Sequence, residues 1–132
     1  MTDDTQPERA RFFGRSKGKP LRKGQKELLG DMLPRLLIAL PATLDPSSLF
    51  TAPKQGYRLE IGFGGGEHLL HRATENPDVG YIGVEPFLNG MAKLVVEVEK
   101  RDIGNIRVFD QDATLLLRRL PKACLDEMVL LY

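Results

Sequence analysis

The 132-residue sequence holds one cysteine, Cys124. A single thiol excludes a disulfide framework and a cysteine-built zinc site, and between Ala123 and Leu125 it reads as a small buried apolar residue rather than a nucleophile. No run of 18 apolar residues occurs, so no transmembrane helix is expected. Residues 1–7 are polar and acidic with no apolar core, which excludes a secretory signal and makes the cytoplasm the expected compartment. Internal repeats, collagen periods and coiled-coil heptads are all missing. With 42% apolar and 28% charged residues, what is left is one globular domain or a piece of a larger one.

Acidic residues are missing from one stretch in particular. Between Arg9 and Lys26 there are eight basic residues and no acidic one, whereas from Glu27 onward 11 basic face 15 acidic residues. The net charge of +1 thus conceals a basic arm on an acidic domain. Residues 1–23, with Gly14, Gly18 and Pro20 and no apolar period, are expected to be a mobile arm. Its Phe12-Phe13 pair suits stacking on bases, and the alternative is a solvated tail without a partner.

Residues 24–56 are expected to form a helix and a connector. Leu28, Leu29, Met32, Leu33, Leu36 and Leu37 make the apolar stripe of a helix, and Pro34 predicts that it ends or kinks near Leu33. The connector over 41–56, with Pro41, Pro46 and Pro53 and one short turn at 47–50, is long for a compact domain. From residue 57 strands and helices alternate. Strands are expected at 57–61, 81–84, 106–109 and 128–131, and helices at 66–75, 88–100 and 113–120. This order predicts an α/β fold with a parallel sheet covered on both faces.

The informative segment is Leu59-Glu60-Ile61-Gly62-Phe63-Gly64-Gly65-Gly66-Glu67. A glycine loop between a first strand and a first helix lets backbone approach a ligand closely, chiefly at Gly62 and Gly64. A dinucleotide fingerprint would want a small residue at the sixth position, where this chain has Glu67. Pyrophosphate there would also meet the negative charges of Glu60 and Glu67. A ligand with positive charge and no phosphate fits better, and S-adenosylmethionine, with its amino group and sulfonium, is such a ligand. Glu85, at the end of the second expected strand, is placed to accept hydrogen bonds from both hydroxyls of an adenosine ribose. Asp112, after the third strand, could take the adenine amino group. Each acid alone could equally be local furniture: Glu60 a cap, Glu85 a turn acid before Pro86, Asp112 an N-cap. His68 and His71, at i and i+3 with no third ligand, are expected to be partly exposed helix histidines rather than a metal site.

On these residues the sequence resembles the bacterial tRNA (guanine-N7)-methyltransferases, class I enzymes that use S-adenosylmethionine. The likeness rests on the glycine loop through His68, on Tyr81-Ile82-Gly83-Val84-Glu85-Pro86-Phe87, and on Asn105-Ile106-Arg107-Val108 with Asp112-Ala113. It extends to the arm, through Phe12-Phe13-Gly14-Arg15, Gly18-Lys19-Pro20-Leu21-Arg22 and Gly24-Gln25. The resemblance implies a Rossmann-like three-layer sandwich, cofactor binding by Glu60, Gly62, Gly64, Glu85 and Asp112, and a tRNA substrate gripped by Arg15, Lys19 and Arg22 of the arm. In that family a Pro-Asp-Pro-Trp segment with the catalytic aspartate follows the fourth strand. The expectation is therefore of the first half of the methyltransferase domain over 57–132, truncated after strand four. The catalytic aspartate is expected beyond Tyr132, the isolated chain is expected to be inactive, and its last strand to be an open apolar edge prone to self-association. No metal and no membrane contact are expected. Two rival readings remain: a dinucleotide-dependent oxidoreductase domain, and a non-catalytic RNA-binding module in which the arm does the binding.

Overall fold

The computed structural model describes residues 23–41 and 43–131; Arg15, Lys19 and Arg22 of the arm lie outside the described residues. The first helix, α1, is Lys23–Leu36, and it buries Leu29, Leu33 and Leu36 of the expected stripe. It does not stop at Leu33. Pro34 stands in its last turn, where the missing N–H costs one bond to Gly30, and the burial of Leu33 and Leu36 on either side favours continuing. The chain then runs along the sheet: Ile38 N–H donates to Val108 O at 2.8 Å and Leu37 forms a parallel bridge with Val108.

The remaining elements are β1 Gly56–Ile61, α2 Glu67–Glu75, β2 Val79–Val84, α3 Leu88–Arg101, β3 Ile106–Phe109, α4 Ala113–Leu117 and β4 Glu127–Leu130. The strands pair in parallel in the order β3-β2-β1-β4. Register brings Ile61 opposite Val84 and Leu130, and Val84 opposite Phe109, so all four strands end level. All six residues of the inner strand β2 are buried. One apolar layer joins α1, α2 and α3 to the sheet through Leu33, Leu69, Tyr81, Leu94, Val98 and Ile106, among others. On the opposite face Leu59, Ile82, Val84 and Phe109 pack with Ile38, Leu44 and Leu116 of the connector and α4. Both faces of β1, β2 and β3 are thus covered, and the three layers follow from helices that each present one apolar side.

Two elements are shorter or more ordered than their sequence suggests. Helix α4 ends at Leu117, three residues before the expected limit. Pro121 disfavours helical backbone at Leu120, and Leu44 N–H takes the Arg119 carbonyl at 2.7 Å. The long connector holds a 3-10 turn, Pro46–Leu49, capped by Asp45. Leu44 and Phe50 beside it are core residues, and the Phe50 ring stacks on Tyr57 at 5.9 Å between centroids.

Asn105 ties the sheet to α2. Its side-chain amide donates to the carbonyls of Ala73 at 3.0 Å, Asn76 at 3.1 Å and Val79 at 2.9 Å, and the residue is buried. Asn105→Ala should lose about 1–3 kcal/mol, because the Ala73, Asn76 and Val79 carbonyls all lose that side-chain donor. Asn105→Asp should be worse, since a carboxylate would face three carbonyl oxygens. Urea unfolding of the two variants checks this ranking, and an Asp variant as stable as the wild type would refute it.

Among the described residues β4 pairs with β1 alone, leaving Met128 and Leu130 52% and 55% exposed. On the helix side Arg72 of α2 and Arg58 of β1 both reach Glu127 of β4, at 2.5 and 4.0 Å. Burial works against the charge of Arg72, but the hydrogen bond and charge of Glu127 outweigh it and raise its pKa.

Candidate functional site

The level strand ends converge on the glycine loop between β1 and α2. Gly62, Gly64 and Gly66 all adopt positive φ, at 77°, 60° and 87°, a region that side chains with a Cβ rarely enter. The loop is pinned at three places. Gly62 N–H donates to Val84 O at 2.8 Å, Gly66 N–H to Phe63 O at 2.9 Å, and the Phe63 side chain is buried in the helix-side core. Across the loop, α3 begins so close that a methyl group on Gly90 would run into the Gly64 carbonyl oxygen. Nothing in the sequence marks Gly90, since a glycine in a helix start carries no signal of what lies opposite.

Glu85 clips the loop to the next turn. Its Oε1 accepts from Gly64 N–H at 2.7 Å and its Oε2 from Phe87 N–H at 3.1 Å, and the residue is 5% exposed. Each carboxylate oxygen has a second lone pair, so both stay able to accept from a ligand hydroxyl.

Glu60, at the end of β1, is buried more deeply, with 2% exposure. Its Oε1 lies 2.7 Å from Nδ1 of His68, on the first turn of α2. Its Oε2 is buried and has no hydrogen-bond partner among the described residues. An acid in this state calls for a cation or further donors. The spacing of eight residues across the loop concealed the His68 contact, and His71, one turn on, is exposed and makes no such pair.

Asp112 takes the cap role that the sequence left open beside the ligand role. It is exposed, and its Oδ1 accepts from Thr114 N–H and Thr114 Oγ1, both at 2.9 Å. The Thr114 N–H, then the Thr114 hydroxyl, hold its pKa below the usual carboxylate value. A depressed folded value means the cap supports the fold above the unfolded pKa of about 3.9 and is lost as pH falls through the folded one. Asp110, two residues earlier at the strand end, is 2% exposed and is the buried acid of this segment. Glu60, Glu85 and Asp110 therefore stand buried at the ends of three adjacent strands, and Asp112 is exposed two residues beyond.

Burial pushes the Cys124 thiol pKa up, as an inert thiol requires. Among the described residues no cluster of three His, Cys, Asp or Glu could hold a metal ion, and no helix is long and apolar enough to cross a membrane. A groove of about 570 Å³ lies on the outer side of the loop, lined by Gly65, Glu67, His71, Lys93 and Arg101. It is separate from the buried acids and does not include them.

A parallel sheet in this order, with a glycine turn and buried acids at the strand ends, defines a Rossmann-like α/β domain of the class I methyltransferase type. The chain belongs to a methyltransferase family: residues 54–132 match the family model described as "Putative methyltransferase". It is similar to proteins named tRNA (guanine-N(7)-)-methyltransferase. The one from Azorhizobium caulinodans is 54% identical over 92% of this chain and 53% of that protein. The one from Rhizobium meliloti is 55% identical over 92% and 53%, and the one from Rhizobium johnstonii 53% identical over 100% and 58%. The chain spans a little over half the length of these relatives.

Proposed function

We propose that the protein transfers a methyl group from S-adenosylmethionine to N7 of a guanine in tRNA, and that the glycine loop with the strand-end acids is its cofactor site. The observation that carries this reading is the buried Glu60, with an unpartnered Oε2, beside a glycine loop in a chain more than half identical to proteins bearing that name. The residues suit the cofactor piece by piece. Glu85 has lone pairs for the ribose hydroxyls, and Gly62 and Gly64 let backbone close on the ligand. Asp112 has one oxygen left for the adenine amino group, and Glu60 offers an anion for the cationic amino-acid end. When bound, the cofactor supplies a methyl group activated by its sulfonium. Guanine N7 has an exposed lone pair and needs no strong base, so the protein's contribution is to hold nitrogen, methyl and sulfur in line.

The test supplies the protein with an unmodified tRNA transcript and methyl-labelled S-adenosylmethionine. Label recovered as N7-methylguanine supports the reading, while label on another base overturns the substrate.

The arm is the proposed RNA grip. Neutralising each phosphate contact changes the salt dependence of binding, so replacing Arg15, Lys19 and Arg22 together by alanine should weaken tRNA binding. The slope of log K against log salt should become shallower by about two to three. An unchanged slope, measured by filter binding across a salt series, would make the arm a solvated tail.

A further inference from the structure

The His68–Glu60 pair supports an inference that rests on the cofactor reading above. The Glu60 side chain is 3% exposed and that of His68 48%, so the imidazole stands between the buried carboxylate and solvent. The 2.7 Å contact occupies Oε1, and Oε2 has no hydrogen-bond partner among the described residues. A ligand cation that comes to Glu60 from solvent therefore meets His68 first. The cation must also be a hydrogen-bond donor, because an acceptor oxygen is waiting. A primary ammonium meets that need, and a sulfonium, which has no N–H, does not.

We propose that His68 stands in for the ligand's primary ammonium, holding Glu60 while the site is empty and yielding it when the ligand binds. A hydrogen bond to an ionised carboxylate is charge-assisted, so the imidazole competes with the ligand's ammonium for Glu60, and a site without the imidazole should bind an ammonium-bearing ligand more tightly.

The other charged groups packed here have partners or neighbours of their own. Arg72 of α2 feels the charge of Glu60 and is bound to Glu127 of β4. Arg58 of β1 reaches Glu127 and the Tyr81 hydroxyl of β2. Lys93 of α3 lies beside Gly65 together with Glu67 of α2, and Glu85 is bonded across the loop. Only His71, on the same helix, is a second histidine, and it serves as the control.

The test is calorimetry with S-adenosylhomocysteine, which carries the ammonium without the sulfonium, at one fixed pH of about 6, below the titration of an α-amino group. His68→Ala and His68→Gln should bind it about five- to tenfold more tightly than wild type, and His71→Ala should match wild type. 5′-Methylthioadenosine, which lacks the ammonium, should bind wild type and all three variants alike. Wild-type affinity in both His68 variants, or the same gain for 5′-methylthioadenosine, overturns the proposal and leaves the cofactor reading standing. So does a His68→Ala variant that binds more weakly, since His68 would then only support Glu60. No binding of S-adenosylhomocysteine overturns the cofactor reading and this inference together.

Discussion

Replacing Glu85 by alanine should weaken binding of S-adenosylhomocysteine by about 10- to 150-fold, the equivalent of about 1.5–3 kcal/mol for hydrogen bonds to a charged group. The loss has two origins. The carboxylate is the proposed partner of the ribose hydroxyls, and it also holds Gly64 N–H at 2.7 Å and Phe87 N–H at 3.1 Å. Removing it leaves two backbone donors to find new acceptors, so thermal stability should fall along with affinity. Glu85→Gln separates the contributions only in part, because its amide nitrogen would face one of those donors. Calorimetry well below the unfolding transition isolates the binding loss. Wild-type affinity in Glu85→Ala would remove this residue from the site.

Gly90→Ala should destabilise the protein by about 1–3 kcal/mol, as overpacking does. On helix propensity alone the same change should stabilise α3, by about 1 kcal/mol. The signs oppose because the added methyl group would strike the Gly64 carbonyl oxygen and come within 3.4 Å of Glu85 Cγ. A carbonyl in the middle of a pinned loop has little room to retreat. The loop should therefore shift, and cofactor affinity should drop about tenfold or more, since the ligand closes on that same backbone. Urea unfolding and calorimetry on one preparation test both halves. A variant more stable than wild type with unchanged affinity would show that the loop is not braced by α3.

Much of the fold was legible because the signals that specify it are local. The stripe of Leu29, Leu33 and Leu36 marks one side of a helix whatever lies against it. Short apolar runs bounded by Gly and Asn-Pro mark strands, and the alternation of elements implies a parallel sheet. Boundaries were less legible where a distant group decides them. Helix α1 passes Pro34 because its last turn is buried, and α4 stops early where Leu44 takes the Arg119 carbonyl. The glycine loop and the acids Glu60 and Glu85 were visible as residue types at strand ends, since a carboxylate there needs a reason.

The sequence by itself determined the order of elements, the charge division between arm and domain, and which acids stand at strand ends. Tertiary structure alone decided what those groups touch. Asp110 is buried while Asp112, two residues on, stays exposed. His68 reaches Glu60 because the loop folds α2 back over the end of β1, and Gly90 must be glycine because α3 crosses a loop 26 residues earlier. Periodicity and turn chemistry act between neighbours in the chain, whereas steric exclusion and hydrogen bonding act between neighbours in space, and only the packed sheet makes these residues neighbours.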